Sequence, residues 1–299
     1  MKKDFLSILD VKKQEILYIL KLAEKIKKSP KNYHNALVGK TLVMFFEKPP
    51  TRTRLSFEIA MTQLGGHAIF FSKDSHFLAT GEDIFDTAKV ISRYANFLMA
   101  RVNSHETLKK FSTYCDIPVL NGLSELEHPL QALADIMTIK ELKGLNDIKV
   151  AYVGDGYNVC NSLMLACAIL GIKISIGCPK GYEPNMKLLA TSMKQYVNLT
   201  QNPKEAVKGA DVVYTDTWIS MGLEAEKQKR IEIFSPYKIN ENLMKLANKG
   251  AIFMHCLPAH KGMEVTKEVI EGKQSVVFQQ AENRLHVQKA VLHMLGQQK

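Results

Sequence analysis

The chain has 299 residues, 46% hydrophobic and 23% charged, which fits two ordinary soluble globular domains, each large enough to bury a core. Its longest apolar run, Leu163 to Gly177, is broken by Gly171 and Lys173, and Met1-Lys2-Lys3-Asp4 leads into no apolar stretch, so neither a membrane span nor a signal peptide is read here. The net charge of +10 suits nucleic acid, small anionic substrates or plain solubility, but the lysines are dispersed and no arginine-rich or aromatic-interleaved patch appears, so nucleic acid is set aside.

In chain order, Val11 to Ile26 reads as a surface helix with Ile16, Leu20 and Ala23 inward, capped by Asp10. Thr41 to Phe46 reads as a buried strand and Leu55 to Leu64 as a helix with an apolar face at Leu55, Ile59 and Leu64. Between them stands Glu47-Lys48-Pro49-Pro50-Thr51-Arg52-Thr53-Arg54. Hydroxyls and guanidiniums at a helix N-terminus, where backbone N–H groups are unpaired, suit a phosphate; a capped helix with solvated arginines fits the same letters. His67 to Phe71 reads as a strand, Ser72 to Glu82 as an irregular polar loop, Ile84 to Tyr94 as a helix and Phe97 to Arg101 as a strand. Glu106 to Tyr114 is a predicted helix and Ile117 to Leu120 a predicted strand. Strand and helix alternate, which predicts a parallel sheet with ligands beyond the carboxyl ends of its strands, where Arg52 and Arg101 both lie. His128-Pro129-Leu130-Gln131 then opens a helix to Leu142, with Pro129 in its first turn. His128 alone reads equally as a packed or capping residue.

Lys143 to Asp147 is the predicted domain boundary. Ile148 to Gly154 reads as a strand, and Gly154-Asp155-Gly156-Tyr157-Asn158-Val159 opens a helix, Cys160 to Leu170. This turn is similar to a dinucleotide-binding turn, but Val159 occupies the third glycine position and the next strand, Lys173 to Gly177, ends in Cys178 rather than an acid, so a nucleotide is not expected. Met186 to Tyr196 is a predicted helix. Asp211 to Thr215 is a predicted strand ending in Asp216-Thr217-Trp218-Ile219-Ser220-Met221-Gly222. That loop reads either as one whose tryptophan packs on the core or as a substrate loop whose Asp216 recognises an ammonium. Gly250 to Met254 leads to His255-Cys256-Leu257-Pro258, where Cys256 is a buried thiol or a group at the chemistry. Val276 to Phe278 is the last predicted strand and Glu282 to Leu295 the last helix. Arg284 in its first turn would oppose the helix dipole, which requires an acid or a bound anion. The five cysteines (Cys115, Cys160, Cys167, Cys178 and Cys256) have no zinc-type spacing, which points to reduced thiols in a cytoplasm.

Five separated motifs, Thr51-Arg52-Thr53-Arg54, His128-Pro129-Leu130-Gln131, Asp216 to Gly222, His255-Cys256-Leu257-Pro258 and Glu282-Asn283-Arg284, together resemble the aspartate/ornithine carbamoyltransferase family, its ornithine-specific branch most closely. The resemblance runs from Phe46 to Leu292, and the Asp-Thr-Trp-Ile-Ser-Met-Gly loop separates it from the aspartate-specific branch. It implies an α/β fold of two domains, each a parallel sheet flanked by helices, with the C-terminal helix packing back on the N-terminal domain. Residues 1–143 plus 280–299 would bind carbamoyl phosphate and 144–279 ornithine. Thr51, Arg52, Thr53 and Arg101 would hold the phosphate; His128, Gln131 and Arg284 the carbamoyl group; Asn158, Asp216, Ser220 and Met221 the amino acid; and Cys256 and Leu257 would lie near the reacting amine and the carbamoyl phosphate. Arg52, Arg101, His128, Cys256 and Arg284 would carry the catalysis. The family implies no cofactor and no metal, a homotrimer or multiple of trimers, and a role in arginine synthesis or its catabolic reverse.

Three positions depart from the family pattern. Pro50 replaces a serine, which removes a hydroxyl and an N–H from the phosphate cradle at roughly 1 kcal/mol or more per hydrogen bond to a charged group. Phe77 and Thr80 replace a glutamine and a basic residue in a loop thought to reach a neighbouring subunit, and Tyr157 replaces an asparagine. Pro50 and Phe77 support the reading of a non-catalytic relative that only binds, against which stand the retained Arg52, Arg101, His128, Cys256 and Arg284. A carbamoyltransferase for putrescine or a modified ornithine is the other reading, against which stand Asp216 and the Ser-Met-Gly loop.

Overall fold

The computed structural model describes residues 4–47, 52–72, 82–219 and 224–297. The chain divides into two compact units, Met1–Leu133 with Arg284–Lys299, and Ala134–Asn283. Each contains one all-parallel sheet.

In the first unit the order is α1 (Lys13–Lys28), β1 (Thr41–Phe46), α2 (Arg52–Gln63), β2 (His67–Ser72), α3 (Ile84–Tyr94), β3 (Phe97–Arg101), α4 (His105–Tyr114), β4 (Val119–Leu123) and α5 (Pro129–Lys143), the last running on into the second unit. The strands lie in the order β2-β1-β3-β4. Their sequences are nearly continuous apolar runs because helices cover parallel sheets on both faces; Phe45, Leu98, Ala100, Leu108, Phe111 and Val119 form one buried cluster. The strand order reverses direction between β1 and β3, the place where such sheets open a crevice. Glu47 laces that point together: its N–H donates to the Arg101 carbonyl at 3.0 Å, and its carboxylate accepts the Asn103 N–H at 2.5 Å.

The second unit contains β5 (Lys149–Val153), α6 (Asn158–Leu170), β6 (Lys173–Gly177), β7 (Val197–Thr200), α7 (Pro203–Val207), β8 (Val212–Tyr214), α8 (Lys227–Phe234), α9 (Glu241–Met244), β9 (Ile252–Met254) and α10 (Lys267–Ile270); α11 (Val277–Gly296) leaves it for the first unit. The sheet order is β7-β6-β5-β8-β9, with its reversal between β5 and β8. In the first unit the C-terminal helix packs back as expected, with the buried Lys289 ammonium donating to Gln63 of α2.

Several local expectations are corrected. Asp10 does not cap α1; its carboxylate accepts the N–H groups of Leu6 and Ser7, both at 2.9 Å, closing a short turn before the helix. The inward stripe of α2 is Thr53, Phe57, Ala60 and Met61, while Leu55 is 55% exposed. Helical spacing allowed either face, and packing against the sheet selects the one that carries Thr53. Met186 to Tyr196 is two 3-10 turns, Met186–Leu188 and Thr191–Tyr196, and β7 follows them. Val276–Phe278 is not a strand. A single bridge joins Phe253 and Ser275, and α11 begins at Val277, so Arg284 lies beyond the first turn and does not oppose the dipole there. Gly156, the second glycine of the dinucleotide-like turn, serves a close approach inside the protein: its N–H donates to the Tyr182 carbonyl at 2.9 Å, and a Cβ there would sit 2.3 Å from the Pro184 nitrogen.

Candidate active site

In the first unit the carboxyl ends of β1 and β3 bring together Thr53, Arg101, His128, Gln131 and Arg284. Thr53 is pulled inside by the packed stripe of α2 and is 1% exposed. Its hydroxyl oxygen accepts from the Arg101 guanidinium at 2.9 Å and from the Arg284 guanidinium at 3.0 Å. With both lone pairs engaged, the buried Thr53 hydroxyl holds the two guanidiniums close together. Two guanidiniums sharing a neutral acceptor build a positive field that suits an anion.

That field is registered at His128. Burial first, then the Arg284 and Arg101 charges, hold its imidazole well below the ordinary histidine range, so the ring is neutral at pH 7. A rigid preamble positions it. Glu127 accepts from the Ser7 hydroxyl and from the Ile8 N–H at 3.0 Å, Asn121 donates to the Glu127 carbonyl at 3.3 Å, and Ser124 links to His105 at 2.9 Å. Gln131, one turn on in α5, is buried beside it.

Arg52 is exposed at the start of α2. Arg54, a candidate substitute for the donor lost at Pro50, is committed elsewhere: its Nε–H donates to Glu58 at 2.8 Å and its guanidinium stacks 3.9 Å from the Phe70 ring centre. Thr51, Ser220 and Met221, together with Lys48, Pro50 and the Phe77–Gly81 part of the departing loop, lie outside the described residues.

In the second unit the carboxyl ends of β5, β8 and β9 carry Asn158, Asp216 and Cys256. Asn158 opens α6 and is 5% exposed. Asp216 is 8% exposed, and its Oδ1 accepts from the Thr217 N–H at 2.7 Å and from the Cys256 thiol at 2.9 Å. Leu257 takes φ +57°, in the left-handed region that costs a branched side chain of order 1–3 kcal/mol, and its N–H donates to His255 Nδ1 at 2.9 Å. That leaves His255 Nε2–H to donate to the buried Glu264 at 3.2 Å, which fixes the tautomer. Asp216, His255 and Cys256 offer ligand atoms within 4.8 Å of one another. Both imidazole nitrogens are engaged with protein groups, so the trio fits a hydrogen-bonded set better than a metal site.

Sequence reading missed the polar groups behind this set. Asp155 pairs with the buried Arg230, Glu264 holds His255, and Gln280 accepts the His255 N–H at 2.9 Å while donating to Asp135 at 2.7 Å. Arg230 did carry a signal: no other arginine occurs between Ala134 and Asn283, and it stands in a lysine-rich run.

Burial pushes the Asp155 carboxyl up to about 7 from 3.8, with Arg230 offsetting part of the rise. Between those values the folded chain keeps a proton that the unfolded chain has lost. Stability from this group is therefore full below pH 3.8 and falls as pH rises to about 7, with a slope of up to ~1.4 kcal/mol per pH unit. The expected result is that Asp155→Asn flattens the urea-midpoint profile in that window; an unchanged slope would remove Asp155 as its source.

Residues 3–141 match the family described as aspartate/ornithine carbamoyltransferase, carbamoyl-P binding domain, and residues 146–295 match its Asp/Orn binding domain. An ornithine carbamoyltransferase from Archaeoglobus fulgidus is 50% identical over 304 residues, covering 99% of this chain and 98% of the relative. Among solved structures, the ornithine carbamoyltransferase of Pyrococcus furiosus superposes with a TM-score of 0.95 at 48% identity, covering 99% of this chain and 98% of that one. The anabolic enzyme of Campylobacter jejuni gives 0.94 at 46%, covering 99% and 100%. No described helix is long and apolar enough to cross a membrane.

Proposed function

The chain belongs to the aspartate/ornithine carbamoyltransferase family, and we propose that it transfers the carbamoyl group of carbamoyl phosphate to the δ-amine of L-ornithine, giving L-citrulline and phosphate. The observation that carries this reading is the convergence of the Arg101 and Arg284 guanidiniums on the Thr53 hydroxyl, beside an imidazole kept neutral.

In the reaction the neutral δ-amine attacks the carbonyl carbon, the carbon–nitrogen bond forms, and phosphate leaves with the carbon–oxygen electron pair. Charge grows on the carbonyl oxygen and on the departing phosphate. In this proposal Thr51, Arg52, Thr53 and Arg101 hold the phosphate, and His128, Gln131 and Arg284 hold the carbamoyl oxygen and nitrogen. Donors fixed in place before the charge appears usually contribute more than any other effect to such catalysis. A neutral His128 donates one N–H without adding a third cation to the site. Asn158, Asp216, Ser220 and Met221 are assigned to ornithine, with the Asp216 carboxylate meeting an ammonium. Cys256 and Leu257 are assigned to the vicinity of the reacting amine, whose proton passes toward Asp216 and Cys256 or to the phosphate.

The proposal extends to arginine synthesis as the pathway, the cytoplasm as the location, residues 1–143 with 280–299 and 144–279 as the respective substrate domains, and a homotrimer or multiple of trimers as the assembly. Purified protein given carbamoyl phosphate is expected to form citrulline from ornithine, with putrescine and Nα-acetylornithine at matched concentrations turned over far more slowly. Faster turnover of either analogue would move the assignment to that amine. Ornithine binding without turnover would leave a non-catalytic binding protein.

A further inference from the structure

We propose that Arg230 is the positioning residue of the ornithine side, clamping the loop that carries Asp216 to the turn that carries Asn158; the inference rests on the ornithine reading above. Arg230 projects from α8 and is 3% exposed. Its Nε–H donates to the Trp218 carbonyl at 2.6 Å, one terminal nitrogen pairs with the Asp155 carboxylate, and the other reaches Glu226 at 3.4 Å. The rings of Tyr182 and Phe234 lie 5.0 and 5.3 Å from the guanidinium carbon.

Trp218 stands two residues after Asp216, and Asp155 three residues before Asn158. The two segments leave β8 and β5, the neighbouring strands at the reversal of the sheet. The guanidinium binds both segments, and the Thr215 hydroxyl adds a second tie closer to the sheet, donating to the Val153 carbonyl at 2.6 Å. The Trp218 ring is held as well, stacked on Phe234 with centroids 6.0 Å apart and 23° between planes.

A buried ion pair is a weak source of stability, since apolar residues of the same volume would serve as well. Its worth here is directional. A planar fork satisfies a carbonyl and a carboxylate from different segments at fixed angles, and a lysine ammonium on a flexible stem cannot reproduce both. The carboxylate proposed to meet the ornithine ammonium is thereby held in register with the asparagine proposed to meet the amino-acid end.

The test uses the full chain at pH 8 with Arg230→Ala and Arg230→Lys. Ornithine and carbamoyl phosphate are varied separately in citrulline assays, and acrylamide quenching of Trp218, the single tryptophan, is measured without ligand. The KM for ornithine is expected to rise about 30-fold in Arg230→Ala and about tenfold in Arg230→Lys, while that for carbamoyl phosphate stays within roughly twofold. Trp218 quenching should increase in both variants, and added guanidinium, but not methylammonium, should recover part of the ornithine KM of Arg230→Ala. An unchanged ornithine KM, or equal rises for both substrates, in an active wild-type background would overturn the clamp. Should the wild type make no citrulline, the ornithine reading fails on its own, and unchanged Trp218 quenching would then overturn the clamp independently. Where Arg230→Ala does not fold, Asp155→Asn provides the second test, with an expected rise in ornithine KM of about tenfold.

Discussion

Arg101→Ala is expected to lower kcat/KM for carbamoyl phosphate by about 10³-fold, the scale of losing one fixed donor at a developing oxyanion together with its charge. Arg101 is half-buried at the end of β3, where Glu47 binds its carbonyl and Thr53 its guanidinium, so the side chain is placed before any ligand arrives. Deleting it leaves the Thr53 hydroxyl with Arg284 alone and weakens the field over the site. Arg101→Lys should recover only part of the loss, because a point charge replaces a fork. The same deletion has a spectroscopic signature. Burial dominates the depression of the His128 pKa, but the Arg101 charge contributes, so the His128 titration should move upward in the variant. Wild-type kinetics in Arg101→Ala would refute the phosphate assignment, and an unmoved His128 titration would refute the shared field.

Asp216→Asn is expected to raise the KM for ornithine about 100-fold, the order expected for a hydrogen-bonded charge withdrawn from a buried partner. The substitution separates two roles. An amide oxygen still accepts from the Cys256 thiol, which lies 2.9 Å from the carboxylate, but it offers no charge to an ammonium. Asp216→Ala removes both. If the carboxylate serves ornithine by charge, the two variants share the KM defect, and the alanine variant alone shows an added fall in kcat from the freed thiol. A normal ornithine KM in Asp216→Asn would remove Asp216 from recognition. The measurement is an ornithine saturation series at fixed, saturating carbamoyl phosphate.

What sequence alone determined was the class and the placement of the motifs. The alternation of short apolar runs with helical spacing required parallel sheets, because strands buried on both faces read as continuous apolar stretches and need helical crossovers. The positions just after Phe46, Arg101, Gly154, Thr215 and Met254 were legible as site positions for the same reason: in such sheets the carboxyl ends open the crevice. Other features depended on tertiary contacts. Spacing allowed two faces for α2, and only packing chose the one that buries Thr53. The sequence places a strand at Val276 to Phe278 because Val276 and Val277 are β-branched and Phe278 is aromatic, a local preference that the helix overrides from Val277 on. Arg230, Glu264 and Gln280 look like surface residues in a linear reading. Each becomes a support of the site only because distant segments bring it a carboxylate, an imidazole or a backbone N–H inside the core, where an unpaired polar group would be costly. Sequence periodicity reports which residues are buried; the partners of a buried polar group come from elsewhere in the chain, and only the folded structure brings them together.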